Sequence, residues 1–140
     1  FPNSKIIHVY RNPSATCWSN FKTYYEDKKI GFCYELNDIR LYYEMYFNLM
    51  QEFIFSYGDH IYNLDYEKLV TKKDTEIRTL INYIGVSWED ECLTPQNNKR
   101  PIYTASRAQV RKGIYPRSSS NWEKYKDYLD GAFENLSIFE

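Results

Sequence analysis

A chain of 140 residues, 43% of them hydrophobic, carries enough apolar material for one core, so a single domain is expected. The 18 Lys and Arg nearly balance the 19 Asp and Glu, leaving a formal net charge of -1; no overall field recruits nucleic acid or an anionic membrane, and any anion binding has to come from a local cluster. No apolar run approaches the ~20 residues of a membrane span and no basic-then-apolar leader opens the chain. Cys17, Cys33 and Cys92 form no C-x-x-C pair and have no histidine cluster beside them, which argues against zinc and a disulfide framework and for a reducing, cytoplasmic setting.

In chain order, the β-branched run Ile6, Ile7, His8, Val9, Tyr10 predicts a strand of a parallel sheet, buried on both faces. Asn12 can cap a helix and Pro13 can occupy its first turn, so a helix is predicted from Pro13 to about Asp27, with Lys28, Lys29 and Gly31 as stop signals. A second helix is predicted from Asn37 or Asp38 to Tyr57, where Ile39, Tyr42, Tyr43, Tyr46, Leu49, Met50 and Phe53 recur at three- and four-residue spacings and Gly58 follows. His60 to Leu64 reads as a short strand that turns at Asp65 into a helical turn, Tyr66 to Leu69. Thr75 to Gly85 places Ile77, Leu80, Ile81 and Ile84 on one helical face. Trp88 to Pro101 is polar and Pro-bounded, the pattern of a short helical turn and a surface loop, and an amphipathic helix is expected from Trp122 to Leu129. The order predicts an α/β fold with few parallel strands and mostly helices. Two strands are too few for a complete doubly wound sheet, and the missing ones are expected upstream.

Three stretches carry chemistry. Arg11 stands where a strand ends and a helix begins, the place at which open α/β sheets bind ligands, and its planar charged fork suits phosphate oxygens. Ser19, about two turns along the predicted helix, stays within reach of a ligand that also touches Arg11. On spacing alone, a salt bridge for Arg11 and a tolerated helix residue for Ser19 is the plainer reading. In "TASRAQVRKG", Thr104 to Gly113, two hydroxyls, Arg107, Arg111 and Lys112 gather around a flexible glycine, a composition that can wrap a phosphate or simply face solvent. Tyr66, in "LDYEKLV", follows a strand directly and can offer a ring to a base or pack in the core. His8 and His60 read as core or edge histidines, and the tyrosines and Phe53 of the second helix as a packed face.

Together these residues resemble a known family. "IIHVYRNPSATCWSNF" resembles the strand and helix with which sulfotransferases that use 3'-phosphoadenylyl sulfate (PAPS) hold the 3'-phosphate, through an arginine at the strand end and a serine eight residues later; Arg11 and Ser19 match in type and spacing. "LDYEKLV" is similar to the family stretch whose tyrosine lies by the adenine, which falls on Tyr66. "TASRAQVRKGIY" followed by "SSSNW" is similar to the late nucleotide-binding loop of bacterial tetratricopeptide-linked and tyrosylprotein sulfotransferases, and there the resemblance implies contacts from Ser106, Gln109, Val110, Arg111 and Lys112. The three matches occur in family order, from Lys5 to about Leu129, which reverses the plainer reading of Arg11 and Ser19. One departure is Asn121, where a basic residue usually precedes the tryptophan.

The resemblance implies that residues 1–140 are the carboxyl-terminal part of a P-loop-like sulfotransferase domain, the half that binds the 3'-phosphate and adenine of PAPS or of adenosine 3',5'-bisphosphate (PAP). The 5'-phosphosulfate loop and the catalytic base normally precede the arginine motif and are expected upstream, so no catalytic residue is assigned here and the chain alone is expected to show little transfer. Its partners would be the nucleotide donor and an unidentified acceptor hydroxyl or amine, without metal, nucleic acid or membrane. A kinase-like nucleotide enzyme, which would need a G-x-x-x-x-G-K-[ST] loop and a magnesium carboxylate, and a non-catalytic helical interaction domain are the alternatives.

Overall fold

A computed structural model describes residues 3–25, 28–98, 100–101 and 119–139. The β-branched run forms strand β1, Ile6–Tyr10, which pairs in parallel with strand β2, Ile61–Asp65, in a register running from Ile6 opposite Ile61 to Tyr10 opposite Asp65. Parallel pairing demands a crossover. Helices α1, Pro13–Phe21, and α2, Leu36–Tyr57, supply it, joined through a short 3-10 segment at Lys28–Tyr34. Helices α3, Tyr66–Thr71, and α4, Lys73–Ile84, follow β2. The described chain is thus mostly helical around a small parallel sheet, an arrangement compatible with α/β.

Local chemistry explains the ends of these elements. Asn12 caps α1 by accepting the Ala15 N–H at 2.9 Å, and Pro13 fills the first turn as predicted. The helix stops at Phe21, short of Asp27. Beyond it the Thr23 hydroxyl bonds back to the Ser19 carbonyl at 2.6 Å and the Tyr25 hydroxyl donates to Asn20 Oδ1 at 2.8 Å, local side-chain bonds that compete with continued helix. Helix α4 ends on Gly85, whose φ of 82° is left-handed, and the Lys5 ammonium, one residue ahead of β1, caps its last turn at the Tyr83 and Ile84 carbonyls, 2.5 and 3.1 Å away.

The core lies between α1, α2 and the C-terminal segment. Cys17, Ile39, Tyr43, Leu129, Ala132 and Phe133 are buried together. Polar bonds hold the C-terminal segment there: the Ser14 hydroxyl donates to the Phe133 carbonyl at 2.6 Å, the Tyr43 hydroxyl to the Ser137 carbonyl at 2.8 Å, and the Arg40 guanidinium to the Ala132 carbonyl at 3.1 Å.

Four further expectations need correction. Strand β1 is not covered on both faces by the described residues: His8 and Tyr10 are buried, whereas Ile7 and Val9 are 39% and 55% exposed, because alternate side chains point to opposite faces and the described elements pack on one. His60 lies in an exposed 3-10 turn, Gly58–His60, ahead of β2. The expected helix at Trp122 is a 3-10 helix, Asn121–Tyr128, running into turns where Asp130 and Gly131 take positive φ. Of the aromatic face of α2, Tyr43 is buried and Tyr46 half-buried, but Tyr42 and Phe53 are exposed, Tyr42 stacking on Phe32 at 4.0 Å. His8 is the satisfied core histidine expected: its Nδ1 pairs with Asn63 Oδ1 at 2.8 Å and its Nε2 with the Tyr46 hydroxyl.

Candidate functional site

The strand register builds the site. Because Tyr10 and Asp65 are opposite each other at the last rung, the next residue of each strand leaves the sheet beside the other: Arg11 stands over the Tyr66 ring, 5.5 Å from its centre. One residue further, Asn12 and Glu67 also meet. The Glu67 carboxylate accepts the Asn12 backbone N–H at 3.2 and 3.3 Å, and its Oε1 accepts the Ser119 hydroxyl at 2.5 Å.

Arg11 and Tyr66 open onto a cavity of about 360 Å³, within the range of small-molecule sites. Thr16 and Asn20 of α1 and Tyr42, Tyr43 and Tyr46 of α2 line its walls. Burial pushes the Tyr43 and Tyr46 hydroxyls above the ordinary phenol range and the Cys17 thiol up to about 12, so these groups stay neutral near pH 7. Arg11 is therefore the one formal charge among the described lining residues.

Ser19 lies half-buried on α1 and is not among the residues that line this cavity. Thr16 and Asn20 are four apart and share one helical face, while Ser19 falls 60–100° around the axis from them, using ~100° per residue. Ser106, Gln109, Val110, Arg111 and Lys112 lie outside the described residues. Sequence reasoning missed Glu67, Thr16, Asn20 and Ser119; aligning the two strand ends, which pairs Asn12 with Glu67, would have found the first.

A family model described as "Sulfotransferase family" matches residues 1–90, which include β1, α1, β2 and the Arg11–Tyr66 pair. The chain belongs to the sulfotransferase family. An uncharacterized protein of Aquifex aeolicus (strain VF5) is 36% identical over 138 residues, 97% of this sulfotransferase-family chain; the chain spans 18% of that protein's length. Among the described residues of this family member, no helix is long and apolar enough to cross a membrane, and no group of three or more His, Cys, Asp or Glu is arranged to hold a metal ion.

Proposed function

We propose that this chain supplies the 3'-phosphate and adenine half of a PAPS site in a sulfotransferase. The observation that carries the reading is the pairing of Arg11 with Tyr66 at adjoining strand tips, where both line a cavity whose other described lining residues are neutral. Arg11 provides a fixed cation for an anion at the tip and the first turn of α1 carries no acidic residue, while the neighbouring Glu67 carboxylate is taken up by the Asn12 N–H and the Ser119 hydroxyl. In this reading Arg11 holds the 3'-phosphate, Ser19 reaches the same group from the second turn of α1, and Tyr66 flanks the adenine. Ser106, Gln109, Val110, Arg111 and Lys112 are assigned to the same nucleotide.

Bound there, the donor delivers its sulfuryl group to an acceptor hydroxyl or amine. The part played by this chain is orientation: a nucleotide gripped at the 3'-phosphate and the base is held in one pose, and such positioning is a main source of rate in group transfer. The base that activates the acceptor is assigned to another part of the intact protein.

Calorimetry with PAP and with ATP tests the reading. Selective binding of PAP, lost in Arg11→Ala, is the expected result. Equal binding of ATP would instead favour a phosphoryl-transfer enzyme, and no binding of either nucleotide a non-catalytic interaction domain.

A further inference from the structure

Glu67 presents an apparent contradiction, a carboxylate beside the cation proposed to bind phosphate. Its contacts resolve it. Both carboxylate oxygens face the backbone N–H of Asn12, the peptide that joins Arg11 to the helix cap, and Oε1 also accepts the Ser119 hydroxyl. The Asn12 N–H lies past the last rung of the sheet, Tyr10 opposite Asp65, and Pro13 that follows has no N–H to offer. Without Glu67 this turn would lose the acceptor that anchors it. Glu67 is itself the second residue of α3 and half-buried, a helix start at which a carboxylate is electrostatically favoured. Three separate pieces of chain converge on it: the β1–α1 turn, the β2–α3 turn that carries Tyr66, and Ser119 from the C-terminal part. Hydrogen bonds to an ionised acceptor are stronger and more directional than neutral ones, and a pair meeting on one carboxylate fixes an angle as well as a distance.

We infer that Glu67 is a positioning residue, which sets the direction in which Arg11 leaves β1 and thereby the preference of the site for a 3'-phosphate. The inference rests on the proposed PAPS reading. It adds a residue that does not touch the ligand and acts through the Arg11–Asn12 peptide.

The test compares PAP with adenosine 5'-phosphate, which lacks the 3'-phosphate, by calorimetry on the full chain, wild type and variants. Glu67→Ala should reduce the preference for PAP by about tenfold, the equivalent of one charge-assisted hydrogen bond. Glu67→Gln keeps an oxygen for the Asn12 N–H and an amide that can donate to Ser119, so it should recover the preference to within about threefold of wild type. A role in stability alone would shift the melting temperature without changing the ratio of the two affinities. An unchanged ratio in Glu67→Ala overturns the inference, as does failure of Glu67→Gln to recover it. If Glu67→Ala does not fold, Ser119→Ala carries the test with an expected loss of about twofold to threefold, and an unchanged ratio there also overturns it. A wild-type chain without preference for PAP rejects the PAPS reading itself, and the inference with it, a result distinct from one in which wild type discriminates and Glu67→Ala does so equally well.

Discussion

At the strand tips, Arg11, Asn12, Tyr66 and Glu67 meet through hydrogen bonds to main chain and a cation over a ring, with every side chain only half-buried. One turn along α1 the contacts change character: Cys17 is 1% exposed and packs in a cluster with Ile39, Tyr43 and Phe133. The tips are held by directional contacts, the core by apolar burial. Apolar burial stabilises without specifying a ligand, whereas few directional contacts specify a ligand and add little to stability. The two regions share α1, which turns Thr16 and Asn20 to the cavity and Ser14 and Cys17 to the core, so substitutions a few residues apart should separate into those that unfold the chain and those that disarm it.

The largest effect should come from the core. Phe133→Ala removes a fully buried ring and should cost about 3–5 kcal/mol in chemical denaturation, enough to leave a marginal domain largely unfolded. Arg11→Ala is the sharpest contrast: affinity for PAP should fall about 100-fold, corresponding to ~3 kcal/mol for a lost charge-assisted phosphate contact, while the melting temperature moves little. If the two losses coincide, so that the arginine variant melts as readily as it releases nucleotide, the separation of tip and core is wrong. Ser14→Ala probes the boundary. It removes the hydroxyl donated to the buried Phe133 carbonyl and should lower stability by about 2 kcal/mol with PAP affinity retained by the folded fraction.

Alkaline pH should weaken the core through Cys17. Its thiol ionises at about 12 in the folded chain against the ordinary 9.0, so the unfolded chain loses its proton first and the stabilisation, complete below pH 9, is lost progressively as pH rises towards 12. By pH 10 the loss should amount to about 1.4 kcal/mol in denaturation curves, and it should shrink in Cys17→Ala. An identical slope in that variant would assign the ionisation to another group.

Much of the tip was legible because its determinants are local. A β-branched run, a capping asparagine, a proline in the first turn and an arginine between them lie within nine consecutive residues, Lys5 to Pro13, and each acts on its neighbours. The same holds for Asp65, whose side chain caps α3 by accepting the Lys68 N–H at 3.1 Å, and for Gly85. The end of α1 was misjudged because Thr23 and Tyr25 bond locally in place of continuing the helix, and the burial of β1 because a hydrophobic strand does not reveal which of its faces the chain covers.

The sequence by itself determined β1, α2, β2, α4 and the types of residue at the strand tips, since propensity, capping and periodicity act over a few residues, and the order and spacing of its motifs carried the resemblance to the family. Tertiary structure alone decided three things: that Arg11 lies over Tyr66, that Glu67 takes the Asn12 N–H, and that the C-terminal segment closes the core through Ser14, Arg40 and Tyr43. Each joins residues more than 50 apart in the chain, as in Arg11 with Tyr66. The parallel register of β1 and β2 decides the first two and the packing of α1 against α2 the third, and neither is encoded at any single position.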